Sequence, residues 1–192
     1  MRITTKQLQA IMSCSESMAS EFCEPLNNAM EQYSINTLLR ESAFLAQVGH
    51  ESGRLFYLKE ITSGRAYEGR KDLGNTKVGD GVKFKGRGLI QITGRNNYKL
   101  CGDALKLDLL THPELLETHV NACLSAAWFW DSHHLNPLAD QKLFSQITKV
   151  INGGLNGQLD RQLLYTKAKS ILSDKRRLHA FLVVRDALIS LA

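Results

Sequence analysis

The chain has no apolar run of the roughly 18–20 residues that cross a bilayer as a helix, and its amino-terminal MRITTKQLQAIM lacks the apolar core and small-residue cleavage site of a secretory signal. These absences predict synthesis in the cytoplasm, no stable membrane association, and export only through the action of another protein. Three prolines and no low-complexity tract in 192 residues exclude long disordered or collagen-like regions. Cysteine is scarce and scattered: Cys14, Cys23, Cys101 and Cys123 form no C-x-x-C pair. A chain of this length buries enough apolar surface to fold without staples, so buried free thiols are expected.

Several chemistries lack their motifs. KGRGLIQ carries a G-x-G without the third glycine or preceding strand of a dinucleotide fingerprint, and GxxxxGK[ST] does not occur. His50-Glu51 begins like a zinc-protease helix, but the second histidine that motif needs is replaced by Arg54. His112, His119, His133, His134 and His179 have no ligand spacing with one another. Neither a metal nor an organic cofactor is expected.

What remains is an ordinary globular composition, 43% hydrophobic and 22% charged, of a length that predicts one domain over residues 1–192. Residues 1–35 and 56–82 are candidates for a small lobe. Lys and Arg number 24 against 19 Asp and Glu, a net charge of +5 that favours an anionic partner. Lys83, Lys85, Arg87, Arg95 and Lys99 follow one another with no acid between Asp80 and Asp103, which predicts a positive surface.

Helical periodicity dominates, so the chain reads as mainly α with little or no strand. Helices are expected from about Thr5 to Met12, from about Ser15 to Tyr33, and over INTLLRESAFLAQVGHES with Asn36 or Thr37 as its cap. GRAYEGRKDLGNTKVGDG, residues 64–81, reads as a long central loop, and loops of that length are more often functional than decorative. THPE from Thr111 to Glu114 offers a capping box, and VNACLSAAWFWDSHH is apolar enough to be the buried central helix. Asn136-Pro137 reads as the opening of a helix that runs through Leu143, Ile147 and Val150 to a stop at Asn152-Gly153-Gly154. Two further helices are expected, from about Leu159 to Leu172 and from Lys175 to Leu191.

On the third helix Phe44, Val48, Glu51 and Leu55 fall at i, i+4, i+7 and i+11, so an apolar stripe runs into a carboxylate. Desolvation there favours the protonated form and makes Glu51 a usable general acid, unless the helix ends early and leaves it in water. Glu60, beside Lys59, has the pattern of a solvated charge by itself. Paired with Glu51 it could complete the two carboxylates of glycoside hydrolysis, with Glu68 as a rival. Amides and hydroxyls in QITGRNN suit the binding of sugar hydroxyl and acetamido groups, although the same residues form turns.

HES at 50–52, FKGRGLIQITGRNNY at 84–98 and VINGG at 150–154 together resemble glycoside hydrolase family 19, the plant-type chitinases and lysozyme-like phage endolysins. AYEGRKDLGNT, GDGVKFKGRG and DRQLLYTKAKSIL make the phage branch the nearer match. The resemblance implies a lysozyme-like α-helical fold with a substrate cleft and an inverting mechanism. It assigns the acid to Glu51, the base to Glu60, water and cleft contacts to Gln91 and Thr93, and N-acetyl sugar contacts to Asn97 and Asn152. It further implies a monomeric enzyme without a wall-binding domain. That enzyme cleaves peptidoglycan glycan strands at the wall after another protein opens the host membrane, and binds no nucleic acid. A lytic transglycosylase using Glu51 alone, a chitinase, and a basic nucleic-acid-binding module built on residues 83–99 are the competing readings.

Overall fold

The structure is a computed structural model that describes the backbone of residues 2–189 and the side chains of residues 2–173. Its helices are α1 (Thr5–Met12), α2 (Glu16–Gln32), α3 (Leu38–Glu51), α4 (Asp80–Lys83), α5 (Arg95–Leu105), α6 (His119–Ser132), α7 (Leu135–Asp140), α8 (Phe144–Asn152) and α9 (Gln158–Ile189). Among the described residues, extended pairing is limited to two isolated bridges, Lys59 with Arg87 and Arg87 with Ile92.

Local chemistry sets the first three helices. Thr4 and Gln7 form a reciprocal capping box on α1, the Ser15 hydroxyl caps α2, and the Thr37 hydroxyl accepts the Arg40 N–H to start α3. Residues 41–49 of α3 are all buried, so this helix forms the axis of the core. Phe44 meets Trp130 of α6 edge to face at 5.5 Å, and each such fully buried side chain contributes about 1.5–3 kcal/mol. Gly49 lets α1 and α9 close on α3: a Cβ there would lie 2.9 Å from Met12 Sδ and 3.3 Å from Leu164 Cδ1. α2 packs on α6, and α1 packs on α2 and α9. All four cysteines are free thiols, and burial pushes Cys101 up to about 12.

Several sequence expectations need correction. The helix expected from Asn136 to Asn152 is two helices, α7 and α8. Asn136 does not cap; it lies inside α7, where it accepts from Trp130 Nε1 at 2.9 Å and donates to the Tyr33 carbonyl at 3.1 Å. A tertiary partner has taken the side chain that local pattern reserved for a cap. The Thr111–Glu114 capping box is absent because Asp108 accepts the Thr111 N–H instead, and Pro113–Glu117 forms a short 3-10 turn. The two carboxy-terminal helices are one continuous element, α9, as far as Ile189; the expected end at Leu191 lies outside the described residues.

Residues 64–81 are the expected long loop region, ordered by short 3-10 turns at Arg65–Tyr67 and Lys71–Leu73 and by its own hydrogen bonds. Glu68 accepts the Gly79 N–H at 2.7 Å and the Gly81 N–H at 2.8 Å, closing the segment on itself. Fully buried Asn75 donates to the Tyr67 carbonyl and accepts the Arg95 N–H, and Asp80 takes the Arg95 guanidinium at 2.5 and 2.8 Å. The expected positive surface is correspondingly reduced. Arg87 is buried, donating to Glu117 at 2.6 Å, to the Lys83 carbonyl at 2.8 Å and to the Tyr98 hydroxyl at 3.0 Å. Lys99 pairs with Asp103. Arg87 and Arg95 are neutralised within the fold because acids remote in sequence meet them there, whereas Lys99 and Asp103 are one turn apart on the surface.

The Arg95 guanidinium holds the buried Asp80 carboxyl down to about 2, from an ordinary 3.8. A depressed carboxylate contributes stability that is complete above its unfolded value and is lost as pH falls through its folded one. Asp80→Asn should therefore lower the unfolding free energy at neutral pH by about 3 kcal/mol. It should also flatten the loss of stability between about pH 4 and pH 2, read from urea unfolding at a series of pH values.

Candidate active site

Glu51 ends α3, and its half-buried carboxylate accepts from Arg161 Nη2 of α9 at 2.5 Å. Arg161 is only 1% exposed and divides its fork, donating through Nη1 to Gln47 Oε1 at 2.5 Å. Gln47 in turn donates to the Thr148 hydroxyl of α8 at 2.9 Å. One turn of α3 thus fixes the arginine, and the arginine fixes the acid. On the adjoining side Asp160 receives Arg54 at 2.5 Å and His50 Nδ1 at 2.7 Å. Arg54, with His50 behind it, holds the Asp160 carboxyl below the usual range.

Glu60 lies on a different element. Its N–H donates to the Gly86 carbonyl at 2.8 Å, and its Oε2 accepts the Gly86 N–H at 3.1 Å. Oε1 accepts from the Tyr67 hydroxyl at 3.1 Å and from the Thr62 hydroxyl. Burial, with the Glu60 charge beside it, pushes the Tyr67 phenol above its ordinary value. Glycine at position 86 is needed for this arrangement: a Cβ would sit 2.7 Å from Gln91 Oε1 and 3.3 Å from Glu60 Oε2. The carboxylate of Glu60 and the amide of Gln91 therefore crowd one small space that has been left free of side chain.

From Gln91 the backbone carries a chain of short polar links. Gln91 itself adopts a left-handed φ of 57° and donates through Nε2 to the Gly88 carbonyl. The Thr93 hydroxyl donates to the Gln91 carbonyl at 2.9 Å, and Asn97 Nδ2 donates to the Thr93 carbonyl at 2.8 Å. Gln91, Thr93 and Asn97 line a cavity of about 570 Å³ whose other walls include Trp128, Phe129 and His133. An amide and hydroxyl wall facing an aromatic one offers hydrogen bonds to polar groups and flat contact to a ring at once.

The model of glycoside hydrolase family 19, described as chitinase class I, matches residues 36–143, more than half of the chain. The chain belongs to glycoside hydrolase family 19. A glycosyl hydrolase family 19 domain-containing protein of Haemophilus influenzae is 32% identical over 159 residues, covering 66% of this chain and 77% of that protein. An acidic endochitinase of Beta vulgaris is 36% identical over 122 residues, but they are 61% of this chain and only 42% of the plant protein. The crystal structure of chitinase C from Streptomyces griseus superposes with a TM-score of 0.74 at 26% identity, covering 89% of this chain and 92% of that one. The lysozyme-like helical fold of the family is the fold seen here, and the chain is a chitinase-like glycoside hydrolase.

Within this family 19 chain, Gln91, Thr93 and Asn97 line one cavity. Glu60 and Gln91 meet above Gly86. Glu68 has both carboxylate oxygens committed to backbone N–H groups of its own loop. Asn152 ends α8 next to Ile151, which lines the cavity, and its side-chain Nδ2 is buried with no hydrogen-bond partner among the described residues. Sequence reasoning missed Arg161, although a signal was there. Arg161, Leu164, Tyr165, Ala168 and Leu172 follow i, i+3, i+4, i+7 and i+11, and all are buried, so the arginine stands on the core stripe of α9.

Gly86→Ala should separate activity from stability. The atoms that a Cβ meets are side-chain ends, which can move at small cost to the fold. Displacing Glu60 and Gln91 by a fraction of an ångström to an ångström should lower kcat by on the order of 10²-fold. Steady-state kinetics on a soluble oligosaccharide, with thermal melting in parallel, checks both halves.

Proposed function

We propose that this chain hydrolyses the β-1,4 glycosidic bonds of bacterial peptidoglycan by single displacement, as a phage-type lysis enzyme. The observation that carries the mechanism is the contrast between two carboxylates. Glu51 is held by a buried guanidinium at a helix end, while Glu60 shares a side-chain-free space with the amide of Gln91. Glu51 donates its proton to the bridging oxygen as the bond breaks, and Arg161 remains beside the carboxylate so formed. Glu60 takes a proton from a water oriented by Gln91 and the Thr93 hydroxyl, and that water attacks the anomeric carbon from the opposite face. An inverting pair stands about 6.5–9.5 Å apart to leave room for the water. Asn97 and the unpartnered amide of Asn152 supply N–H groups to substrate acetamido oxygens. The chemistry uses side chains alone, with neither metal nor organic cofactor.

For the polymer, charge supports peptidoglycan. Arg65, Lys71, Lys77 and Lys83 are exposed on the lobe between Glu60 and Gln91, and the net charge is +5. An anionic wall polymer meets these groups favourably, at a strength that falls with salt. Chitin is the second reading, favoured by the endochitinases among the relatives. The nucleic-acid reading has lost part of its charge, since Arg87 and Arg95 are in ion pairs within the fold. We further propose that the enzyme acts as a monomer, and that it reaches the wall from the host cytoplasm once a separate protein has opened the membrane.

Digests of purified peptidoglycan and of chitin, by wild type and by Glu51→Gln, Glu60→Gln and Glu68→Gln, test these assignments. Mass spectrometry should find reducing-end muropeptides, proton NMR should find the inverted anomer first, and peptidoglycan should be cut faster than chitin at low salt. Glu51→Gln and Glu60→Gln should each lose about 10²–10⁴-fold in kcat. A 1,6-anhydro product would make the enzyme a lytic transglycosylase. Loss in Glu68→Gln with activity retained in Glu60→Gln would move the base to Glu68.

A further inference from the structure

Neighbouring residues in the first turn of α9 grip neighbouring residues in the last turn of α3. Arg161 donates to Glu51, and one position earlier Asp160 Oδ2 accepts from His50 Nδ1 at 2.7 Å. An ionised carboxylate only accepts, so Nδ1 carries the proton of this bond. The ring has little room to turn away from it. Gly157, in the loop that enters α9, has a left-handed φ of 70° and lies so close that a Cβ there would collide with His50 Cε1 and Nε2. His50 is therefore held between the Gly157 backbone and the Asp160 carboxylate.

Asp160 also reaches the chain that leaves Glu51. Its Oδ1 accepts from Arg54 Nη2 at 2.5 Å and its Oδ2 from Arg54 Nη1 at 3.1 Å, so carboxylate and guanidinium meet fork to fork. Gly53, Arg54 and Leu55 have φ of 57°, 65° and 74°, three consecutive left-handed residues of which two bear side chains. Such a run persists only where its surroundings over-determine it. Leu55 is fixed by the core, at 1% exposure, and by its N–H, which donates to the buried Ser52 hydroxyl at 2.8 Å. Arg54 is fixed by its N–H, which donates to the Gly49 carbonyl at 2.7 Å, and by Asp160. Further along, Glu60 N–H donates to the Gly86 carbonyl and the Leu58 carbonyl accepts the Gly88 N–H. The chain between the two glutamates is thus clamped near its start by Asp160 and at its end by the backbone of residues 86–88.

We propose that Asp160 is a positioning residue for the general acid: through His50 on one side of Glu51 and Arg54 on the other, it holds the acid where its proton meets the leaving oxygen. The inference rests on the reading of Glu51 as that acid. Arg161 by itself does not suffice for this. It meets one carboxylate oxygen through one nitrogen, a contact about which the Glu51 side chain still pivots. Fixing the residues that flank Glu51 removes that freedom, and misplacing a catalytic group by an ångström costs on the order of 10²-fold in rate.

Leaving-group chemistry provides the test, because a sugar alkoxide needs a proton to depart and 2,4-dinitrophenolate does not. Steady-state kinetics are measured on chitohexaose and on a 2,4-dinitrophenyl chitooligosaccharide. Glu51→Gln, the reference, should lose far more kcat on the first than on the second. Asp160→Asn should show the same contrast on a smaller scale: about 10–100-fold lower kcat on chitohexaose, within about threefold on the aryl substrate, and KM within about twofold on both. The ratio between the two substrates is independent of how much enzyme is folded, so a destabilised variant does not imitate it. Arg54→Asn removes the guanidinium but suits a left-handed backbone, and it should lose in the same sense. The double variant should then fall short of the product of the two single losses. Equal losses by Asp160→Asn on both substrates overturn the positioning role, as do losses that multiply in full in the double variant. Should Glu51→Gln itself lose equally on both, the acid assignment falls and this inference with it. A wild type that cleaves neither substrate overturns the glycan reading and this inference together.

Discussion

A guanidinium buried to 1% exposure between two helices is the constraint on which the rest of the site depends. Burial of the Arg161 guanidinium against α3 requires partners for the fork, and Gln47 and Glu51 are those partners. Docking of α9 on α3 and placement of the acid are thus the same event. Glu51 is thereby a counter-ion to the core as well as the last residue of α3.

The middle of the chain shows how one residue type divides into separate roles by partner alone. Glu60 and Glu68 are eight positions apart and equally polar in sequence. Glu68 accepts two backbone N–H groups and closes a loop; Glu60 accepts from Tyr67, Thr62 and Gly86 and stands beside Gln91. The basic run is divided in the same way. Arg87 and Arg95 become internal cross-links to Glu117 and Asp80, whereas Lys83 stays exposed. Charge counted along a sequence overstates the charge that a partner can meet, because pairing is decided by residues that are remote in the chain.

Two errors in the reading of helix caps share one physical origin. Asn136 has the side chain of a cap, and Thr111 with Glu114 the spacing of a capping box, yet Trp130 claims the first and Asp108 the second. A short polar side chain bonds to whichever group is presented to it, and in the folded chain that group can come from elsewhere. Where no tertiary competitor exists, as at Thr4, Ser15 and Thr37, the local rule and the structure agree.

By itself the sequence determined the helical class, the limits of α1 to α3, the apolar stripe ending at Glu51 and, through three ordered motifs, the family. These are properties of spacing, which side-chain periodicity and capping chemistry impose before any long-range contact forms. Only the tertiary structure decided that Arg161 holds Glu51, that Gly86 brings Glu60 and Gln91 into one space, and that Asp160 meets both His50 and Arg54. Each of these joins residues from separate elements. Their distance along the chain carries no signal, because it is the burial of α3 among the other helices that sets their distance in space.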